Sequence, residues 1–371
     1  MPLEKTIRVL VADDSAFMRK VLASMINADP QLEVIGEARD GREAVQQAET
    51  LAPDVISMDI NMPQMDGLQA TEAIMARNPR PIVIVSSESR AGAETTLRSL
   101  ELGAIDFVPK PSSGVDLDMN SVREELTRKL KMAARVRVVR TATRSRLQEE
   151  IAASAPRVEP AGPARARLES APAGKFPVVV LAASTGGPAT LMRFVPEFPR
   201  DFPGAVFLVQ HMPASFTAQF AEQLKQVAQM EVKEAEMGEM VQPGRLYVCP
   251  GSHHLRLTQT GRVTLEDGPR VNGYKPCADL ALESAAQFAG PMAIAVVMTG
   301  MGNDASQGVK QVKAAGGYVL AQDESTCVIF GMAAEAIKTG AVDQVLPIES
   351  LYKGIEKRVL YVYGAARVGA L

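Results

Sequence analysis

The feature that most restricts this chain is a rhythm of short apolar, β-branched runs separated by helix-length amphipathic segments. From Ile7 to about Lys110 the runs read IRVLVA, EVIGEA, DVISMD, PIVIVSS and IDFVPK. Alternation of this kind predicts a parallel sheet with helices on both faces. Over residues 152–175 the rhythm stops. Ala and Pro dominate there and large apolar side chains are almost absent, so the segment cannot bury enough surface to fold and reads as a linker. After Phe176 the rhythm resumes as FPVVVLAA, AVFLVQ, RLYVCP, AIAVVMTG, GYVLAQ and VDQVLP. The stretch from RLYVCPGSHHLRL to GRVTLEDGP breaks the beat and is expected to form a β-hairpin-like excursion. A chain of 371 residues exceeds one ordinary core. The expected architecture is therefore α/β, with two doubly wound domains joined by a Pro/Ala-rich linker. Expected boundaries are residues 5–125, a helical extension and linker at 126–175, and a second domain at 176–371.

Composition narrows the function classes. With 46% hydrophobic and 22% charged residues the chain has the make-up of a soluble globular protein. A formal net charge of -3 and a pI near 5.8 count against a nucleic-acid binder. No apolar run approaches bilayer length, so no membrane insertion is expected, and the N-terminus lacks a signal-peptide pattern. Cys249, Cys277 and Cys327 show no CxxC spacing and read as free thiols of a reducing cytoplasm. Residues 121–140 look helical and basic, with nine Lys/Arg between Arg123 and Arg146. They are expected to form a solvated face rather than a surface for an acidic partner.

In the first domain three acids fall at strand ends on one sheet edge. Asp13 and Asp14 close the first run and Asp59 closes the third, while Ser86 and Lys110 end the fourth and fifth. Ligands of parallel sheets sit beyond the carboxyl ends of the strands. Carboxylates gathered there repel one another unless a hard cation such as Mg²⁺ neutralises them. Acids, a hydroxyl and an ammonium on one edge suit a phosphoryl group bound to one carboxylate. Asp14 or Ser15 alone reads as a cap of the first helix, and Asp66 in MDG as a cap of a later one.

The segments VLVADDSAFMR, DVISMDINMPQMDGL, VSSES and GAIDFVPKP resemble the receiver domain of two-component response regulators, a flavodoxin-like fold, over roughly residues 5–125. The resemblance implies that Asp59 is phosphorylated by a histidine kinase. It implies that Asp14 binds Mg²⁺ directly, with Asp13 assisting and the Asn61 carbonyl completing the protein ligands. Ser86 would be the switch hydroxyl and Phe107 the aromatic that repacks.

In the second domain VVVLAASTGGPAT (Val178–Thr190) drives a buried run into a hydroxyl and two glycines. Ser184 either caps the following helix or stands as a nucleophile on a strand-to-helix turn. An imidazole base must come from His211, His253 or His254. His211 directly follows AVFLVQ, on the same edge as Ser184, whereas His253 and His254 lie in a turn-like CPGSHHL. Together with Cys249 they lack a second ligand pair, so a structural or surface role is expected. Asp304, just past AIAVVMTG, completes the set as a carboxylate able to hold the His211 ring. Gly186 and Gly187 permit a sharp turn and Pro188 suits a helix start. N–H groups there and in the Gly300–Gly302 loop are candidates for an oxyanion hole.

A rival reading also fits. Gly300, Gly302 and Ala305 match G-x-G-x-x-G/A, and Asp323 follows about twenty residues later, the spacing of a dinucleotide-binding oxidoreductase. The motif lies inside the domain rather than in its opening βα unit, and it leaves Ser184 and His211 idle. A P-loop is excluded because no Lys follows the glycines.

AASTGGP, QHMP, TGMGNDA, CPGSHH and AQDESTCVIFGM together resemble the catalytic domain of chemotaxis protein-glutamate methylesterases, over roughly residues 175–365. The match implies a serine hydrolase, in the Rossmann-like, mainly parallel fold of that domain. It would demethylate glutamyl methyl esters on methyl-accepting chemotaxis receptors, with glutamine deamidation as an accompanying activity. Ser184 would be the nucleophile, His211 the base and Asp304 the orienting acid. Thr185 and the Met301 N–H would steady substrate or oxyanion. Two stretches depart from the family pattern, Ala305 where NDG is expected and Tyr274-Lys275-Pro276-Cys277 where His-Arg-Pro-Ser is expected. The unphosphorylated receiver is expected to hinder access to the Ser184 edge. The alternative from another class is a non-enzymatic phospho-switch with an inactive second domain.

Overall fold

The computed structural model describes residues 6–86, 90–110, 119–136 and 176–368. The chain divides into two units, residues 1–167 and 168–371, each described by itself. The linker expected at 152–175 and the basic residues 137–146 lie outside the described residues.

The first unit carries a parallel five-stranded sheet in the order β2-β1-β3-β4-β5. Its strands are β1 (Ile7–Ala12), β2 (Leu32–Ala38), β3 (Val55–Asp59), β4 (Ile82–Ser86) and β5 (Asp106–Pro109). Helices α1 (Ala16–Asn27), α2 (Gly41–Leu51), α3 (Gly67–Arg77), α4 (Arg90–Glu101) and α5 (Met119–Ala133) connect or follow them. Every residue of β3 and β4 is buried, as a strand covered on both faces requires. Each Val or Ile so buried contributes about 1.5–3 kcal/mol. Ser15, not Asp14, caps α1 by accepting the Met18 N–H at 3.3 Å. Asp66 caps α3 in a reciprocal pair with Gln69. The order reverses between β1 and β3, so Asp13, Asp14 and Asp59 gather at the switch point.

Helix α5 corrects part of the expectation for the basic stretch. Val122, Leu126, Leu130 and Ala133 form its buried stripe. Lys129 turns inward beside them, 3.1 Å from Asp106 Oδ1, and donates to the Phe107 carbonyl at 2.6 Å. Lys131 pairs with Asp29 at 2.6 Å. These two cations tie α5 to the unit instead of facing solvent freely.

The second unit is built on a seven-stranded parallel sheet, order β14-β13-β12-β6-β7-β9-β8. Its strands are β6 (Val178–Ala183), β7 (Ala205–Gln210), β8 (Glu231–Glu234), β9 (Arg245–Val248), β12 (Ala293–Val297), β13 (Tyr318–Gln322) and β14 (Gln344–Leu346). Its helices are α6 (Gly187–Phe194), α7 (Ala214–Val227), α8 (Ala278–Ala289), α9 (Gly308–Ala314), α10 (Met332–Lys338) and α11 (Ile348–Val368). β6 is fully buried and central, and the chain leaves it first toward β7 and later returns on its other side through β12. The strand order therefore reverses between β6 and β12, the point at which parallel α/β sheets place their ligands.

The expected excursion is only half right. RLYV joins the main sheet as β9, and the hairpin proper is β10 (His254–Leu257) against β11 (Val263–Glu266), antiparallel. The Leu257 N–H donates to Ser284 Oγ at 3.0 Å, anchoring the hairpin to α8. EVKE forms β8, an edge strand with no apolar run to announce it. Among the described residues, no helix is long and apolar enough to cross a membrane.

Candidate active site and phosphoacceptor site

At the switch point of the first unit Lys110 Nζ lies 2.8 Å from both Asp13 Oδ2 and Asp59 Oδ2. Asp13 Oδ1 accepts the Ser15 N–H and Asp59 Oδ1 the Ile60 N–H. Both Oδ2 atoms are buried, and the Lys110 ammonium is the close polar neighbour that both of them face. Asp14 is exposed, yet its carboxylate closes a trio whose ligand atoms all lie within 4.8 Å of one another. Burial pushes the Asp59 carboxyl above its ordinary value. The attraction of Lys110 opposes this and the nearby Asp13 charge adds to it. Burial lowers Lys110, but two facing carboxylates outweigh that and raise it. The pair shifts unequally because Lys110 meets two anions while Asp59 meets one cation and one anion. Ser86, buried at the end of β4, accepts the Lys110 N–H on its carbonyl at 2.7 Å. Phe107 is buried in β5 with Lys129 Nζ 5.2 Å from its ring centroid. Asn61 is exposed two residues past Asp59. The expected residues thus share one rim, except Phe107, which lies inside the unit two strands away.

On the second unit Ser184 follows the last residue of β6 and His211 the last residue of β7. Ala183 and Gln210 are register partners, so Ser184 and His211 occupy adjacent positions on neighbouring strands. The His211 N–H donates to the Ala183 carbonyl at 3.0 Å, and the Ser184 N–H donates to Thr299 on the other side. Gly186 takes a left-handed conformation, φ 76°, which turns the chain into α6. His211 Nε2 lies 2.7 Å from Asp304 Oδ2. A carboxylate accepts only, so Nε2 carries a proton, and in the neutral ring Nδ1 keeps its lone pair. Among the described residues no hydrogen bond joins the Ser184 hydroxyl to the ring. Catalytic contacts of this kind often tighten only when substrate is bound.

Asp304 is held from several sides. Oδ2 also accepts the Ala278 N–H at 2.7 Å, and Oδ1 accepts the N–H groups of Asp279 and Ala305 at 3.0 and 2.9 Å. The Cys277 thiol donates to Oδ1 at 3.3 Å. Burial would raise the Asp304 carboxyl, but the His211 ring and the backbone N–H groups prevail and hold it below its ordinary value. Burial, then the Asp304 charge, pushes the Cys277 thiol up to about 12, so it stays a protonated donor. Asp279 in turn accepts the N–H groups of Gln307 and Gly308 at the start of α9. The start of α8 is thus met by Asp304 from the loop before α9, and the start of α9 by Asp279 from the first turn of α8, where the helix dipole favours negative charge.

Sequence reading marked Tyr274 as a departure from the family pattern but did not place it beside His211. Its ring stacks on His211 with centroids 4.8 Å apart and 16° between planes, and its hydroxyl donates to Asn303 Oδ1 at 3.2 Å. A Tyr in a loop 63 positions from the histidine gives no local signal. Thr185 is buried beside Ser184, and its carbonyl accepts the Thr299 hydroxyl at 3.0 Å. Met301 follows Gly300, whose carbonyl accepts the Gly331 and Met332 N–H groups. Cys249, His253 and His254 form no common site. The Cys249 thiol donates to backbone carbonyls, His253 Nδ1 meets Ser252 Oγ, and His254 Nε2 meets the Pro269 carbonyl. Asp323, the ribose ligand of the rival reading, is turned into its own loop. There it accepts the Thr326 N–H and the Ser325 and Thr326 hydroxyls.

Fold and rims together define a class: a receiver-type α/β unit carried on one chain with a parallel α/β unit that brings Ser184, His211 and buried Asp304 to one rim. The CheB methylesterase model matches residues 179–355, and the response regulator receiver domain model matches residues 9–122. A protein-glutamate methylesterase/protein-glutamine glutaminase from Pyrococcus horikoshii is 44% identical over 374 residues, covering 100% of this chain and 98% of its own. The protein of the same name from Symbiobacterium thermophilum is 41% identical, covering 96% of this chain and 98% of its own. Among solved structures, the Thermotoga maritima CheB methylesterase catalytic domain has 41% identity and a TM-score of 0.47, covering 50% of this chain and 98% of that one. The chain belongs to the CheB family of protein-glutamate methylesterases/protein-glutamine glutaminases.

Proposed function

We propose that this protein is a phosphorylation-regulated serine hydrolase that removes methyl esters from glutamate side chains of methyl-accepting chemotaxis receptors. The observation that carries the reading is the 2.7 Å contact of His211 Nε2 with buried Asp304, one register position from Ser184 at the switch point of the sheet. His211 Nδ1 takes the Ser184 proton as the hydroxyl oxygen attacks the ester carbonyl. The negative charge of the tetrahedral adduct falls near the start of α6 and the Gly300–Gly302 loop, with Thr185 and the Met301 N–H as donors. Collapse breaks the C–O bond, and methanol leaves with the proton held by His211. Water then attacks the acyl-enzyme, releasing glutamate and restoring Ser184. The same steps on a glutamine side chain expel ammonia, in keeping with the glutaminase half of the relatives' names.

Asp59 is the phosphoacceptor and a histidine kinase the donor of its phosphoryl group. Two buried carboxylate oxygens facing a single ammonium, with a third acid within 4.8 Å, fit a hard divalent cation. Asp13, Asp14 and Asp59, with the Asn61 carbonyl, would hold Mg²⁺, which screens the charge of the incoming phosphoryl group. Lys110 and Ser86 donate to phosphate oxygens, and Phe107 repacks with them. The protein acts in the cytoplasm, on receptor segments that reach it there. Methanol release from methylated receptor membranes tests the reading. Wild type releases methanol and Ser184→Ala does not. Equal release from both would remove Ser184 from the chemistry and the reading with it.

A further inference from the structure

β7 ends on a residue that its surroundings do not call for. Its first five residues are apolar, yet the sixth is a carboxamide, Gln210, with 2% exposure. A buried amide with unmet hydrogen-bonding capacity is unfavourable, and such a group in a native fold calls for an explanation. Gln210 Nε2 donates to the Ser184 carbonyl at 2.9 Å and to the His211 carbonyl at 3.1 Å. One amide group therefore ties together the backbones of the proposed nucleophile and the proposed base. Its Oε1 is buried and accepts no hydrogen bond. That oxygen packs against Gly187, where an added Cβ would stand 2.0 Å from it. The opposite orientation would set Oε1 against two carbonyl oxygens, three acceptors with no proton among them.

We propose that Gln210 is the positioning residue that sets the separation of Ser184 and His211, and that Gly187 is glycine to leave room for its carboxamide. Gln210 touches neither substrate nor reacting atoms and acts through two backbone carbonyls. The inference rests on the hydrolase reading above. A misplacement of about 1 Å in a reacting pair lowers turnover on the order of 10²-fold.

The test uses the full-length protein on methylated receptor membranes, with kcat expressed per folded molecule and the folded fraction read by circular dichroism at the assay temperature. Gln210→Met keeps the length and removes both donors. It should lower kcat about 10²-fold and leave KM unchanged. The rate at which a fluorophosphonate labels Ser184 should fall in parallel. Gly187→Ala should lower kcat through the same displacement, and adding it to Gln210→Ala should cause a much smaller further loss, because the 2.0 Å clash is gone and only the 3.0 Å approach to the Ala183 Cβ remains. Wild-type kcat in folded Gln210→Met overturns the proposal. So do independent, multiplying losses in the Gly187/Gln210 pair, which decide the matter even where Gln210→Met does not fold. Ser184→Ala separates the two levels. Activity surviving that change sinks the hydrolase reading, whereas a dead Ser184→Ala beside a fully active Gln210→Met sinks only the role of Gln210.

Discussion

Asp304 Oδ2 lies 2.7 Å from His211 Nε2 and 2.7 Å from the Ala278 N–H, so one oxygen serves both the proposed base and the start of a helix. Asp304→Asn keeps the shape but presents an amide where acceptors are needed. It should lower kcat by roughly 10³–10⁴-fold, because the ring loses the partner that fixes its tautomer. It should also lower stability by about 1–3 kcal/mol, because buried N–H groups are left facing a poorer acceptor. Kinetics and thermal unfolding of the same preparation read the two effects separately. Near-normal turnover would place the orienting acid elsewhere.

The same carboxylate makes stability depend on pH with a definite sign. Its pKa in the fold is below the ordinary value of 3.8. The unfolded chain therefore binds the proton more readily, and Asp304 stabilises the fold at every pH above that range. The contribution is lost as pH falls below about 3.8 and through the lowered value. The isolated second unit, residues 176–371, should show an acid-unfolding transition that Asp304→Asn makes shallower below that pH. An unchanged acid limb in the variant would show that other groups govern it.

Asp59 has the opposite sign. Burial raises its pKa in the fold, so its ionised form is disfavoured there and any stabilising contribution is lost as pH rises through the raised value. At neutral pH without divalent cation, Asp59→Asn should raise the melting temperature of the first unit, and the gain should vanish below pH 3.8. The variant should also fail to take up phosphate from a small phosphodonor. A lower melting temperature at pH 7 would mean that the Lys110 contact outweighs burial.

Much of this was legible because the period of apolar residues is a direct consequence of burial. VVVLAA and AIAVV could only be strands covered on both faces, and their ends placed Ser184 and the Asp304 loop on one rim. β8 escaped because EVKE has only one buried residue and looks like a loop. The capping of α8 by Asp304, and of α9 by Asp279, joins residues more than 20 positions apart and leaves no periodic trace. Tyr274 stood out only as a departure from the family pattern, and its stacking on His211 leaves no periodic trace either. Gln210 did carry a signal, a polar residue closing an otherwise apolar strand, which burial makes meaningful only once the fold is known.

The carboxylate trio predicts a response to metal. Three acids with ligand atoms within 4.8 Å repel one another, and a divalent cation bound by the fold but not by the unfolded chain stabilises it by mass action. Millimolar Mg²⁺ should raise the melting temperature of the first unit, whereas Na⁺ at equal ionic strength should not. Asp14→Asn should weaken the response without lowering stability in the absence of metal, since Asp14 is exposed. A rise that Na⁺ reproduces would be charge screening rather than a site.

Ala305 sits at φ 77° and is buried, in the loop position where glycine was expected. A left-handed conformation is about 1–2 kcal/mol unfavourable for a residue with Cβ. Glycine would relieve that, but it loses about 0.5–1 kcal/mol in chain entropy and about 0.8 kcal/mol for the buried methyl. These nearly cancel. Ala305→Gly should therefore leave stability within about 0.5 kcal/mol of wild type. Ala305→Val, β-branched at a left-handed position, should destabilise strongly and disturb Asp304 next to it. A large gain from Ala305→Gly would show more strain in this loop than its dihedral implies.

Joining a receiver to a hydrolase on one chain makes sense only if the phosphorylation state of the first changes the rate of the second. On the function proposed above, population shift gives the form of the effect: phosphorylation at Asp59 favours a state in which Ser184 is more accessible to receptor. A chain starting at Phe176 lacks the receiver and any hindrance it imposes. It should release methanol faster than the unphosphorylated full-length protein under identical conditions, and a phosphodonor should accelerate the full-length protein but not the fragment. Asp59→Asn should hold the full-length protein at its unstimulated rate. If the fragment is no faster while the phosphodonor still accelerates the whole chain, the receiver works by activation rather than by relief of inhibition. In that case its phosphorylated form must contribute something to receptor binding or to the rim that the fragment lacks.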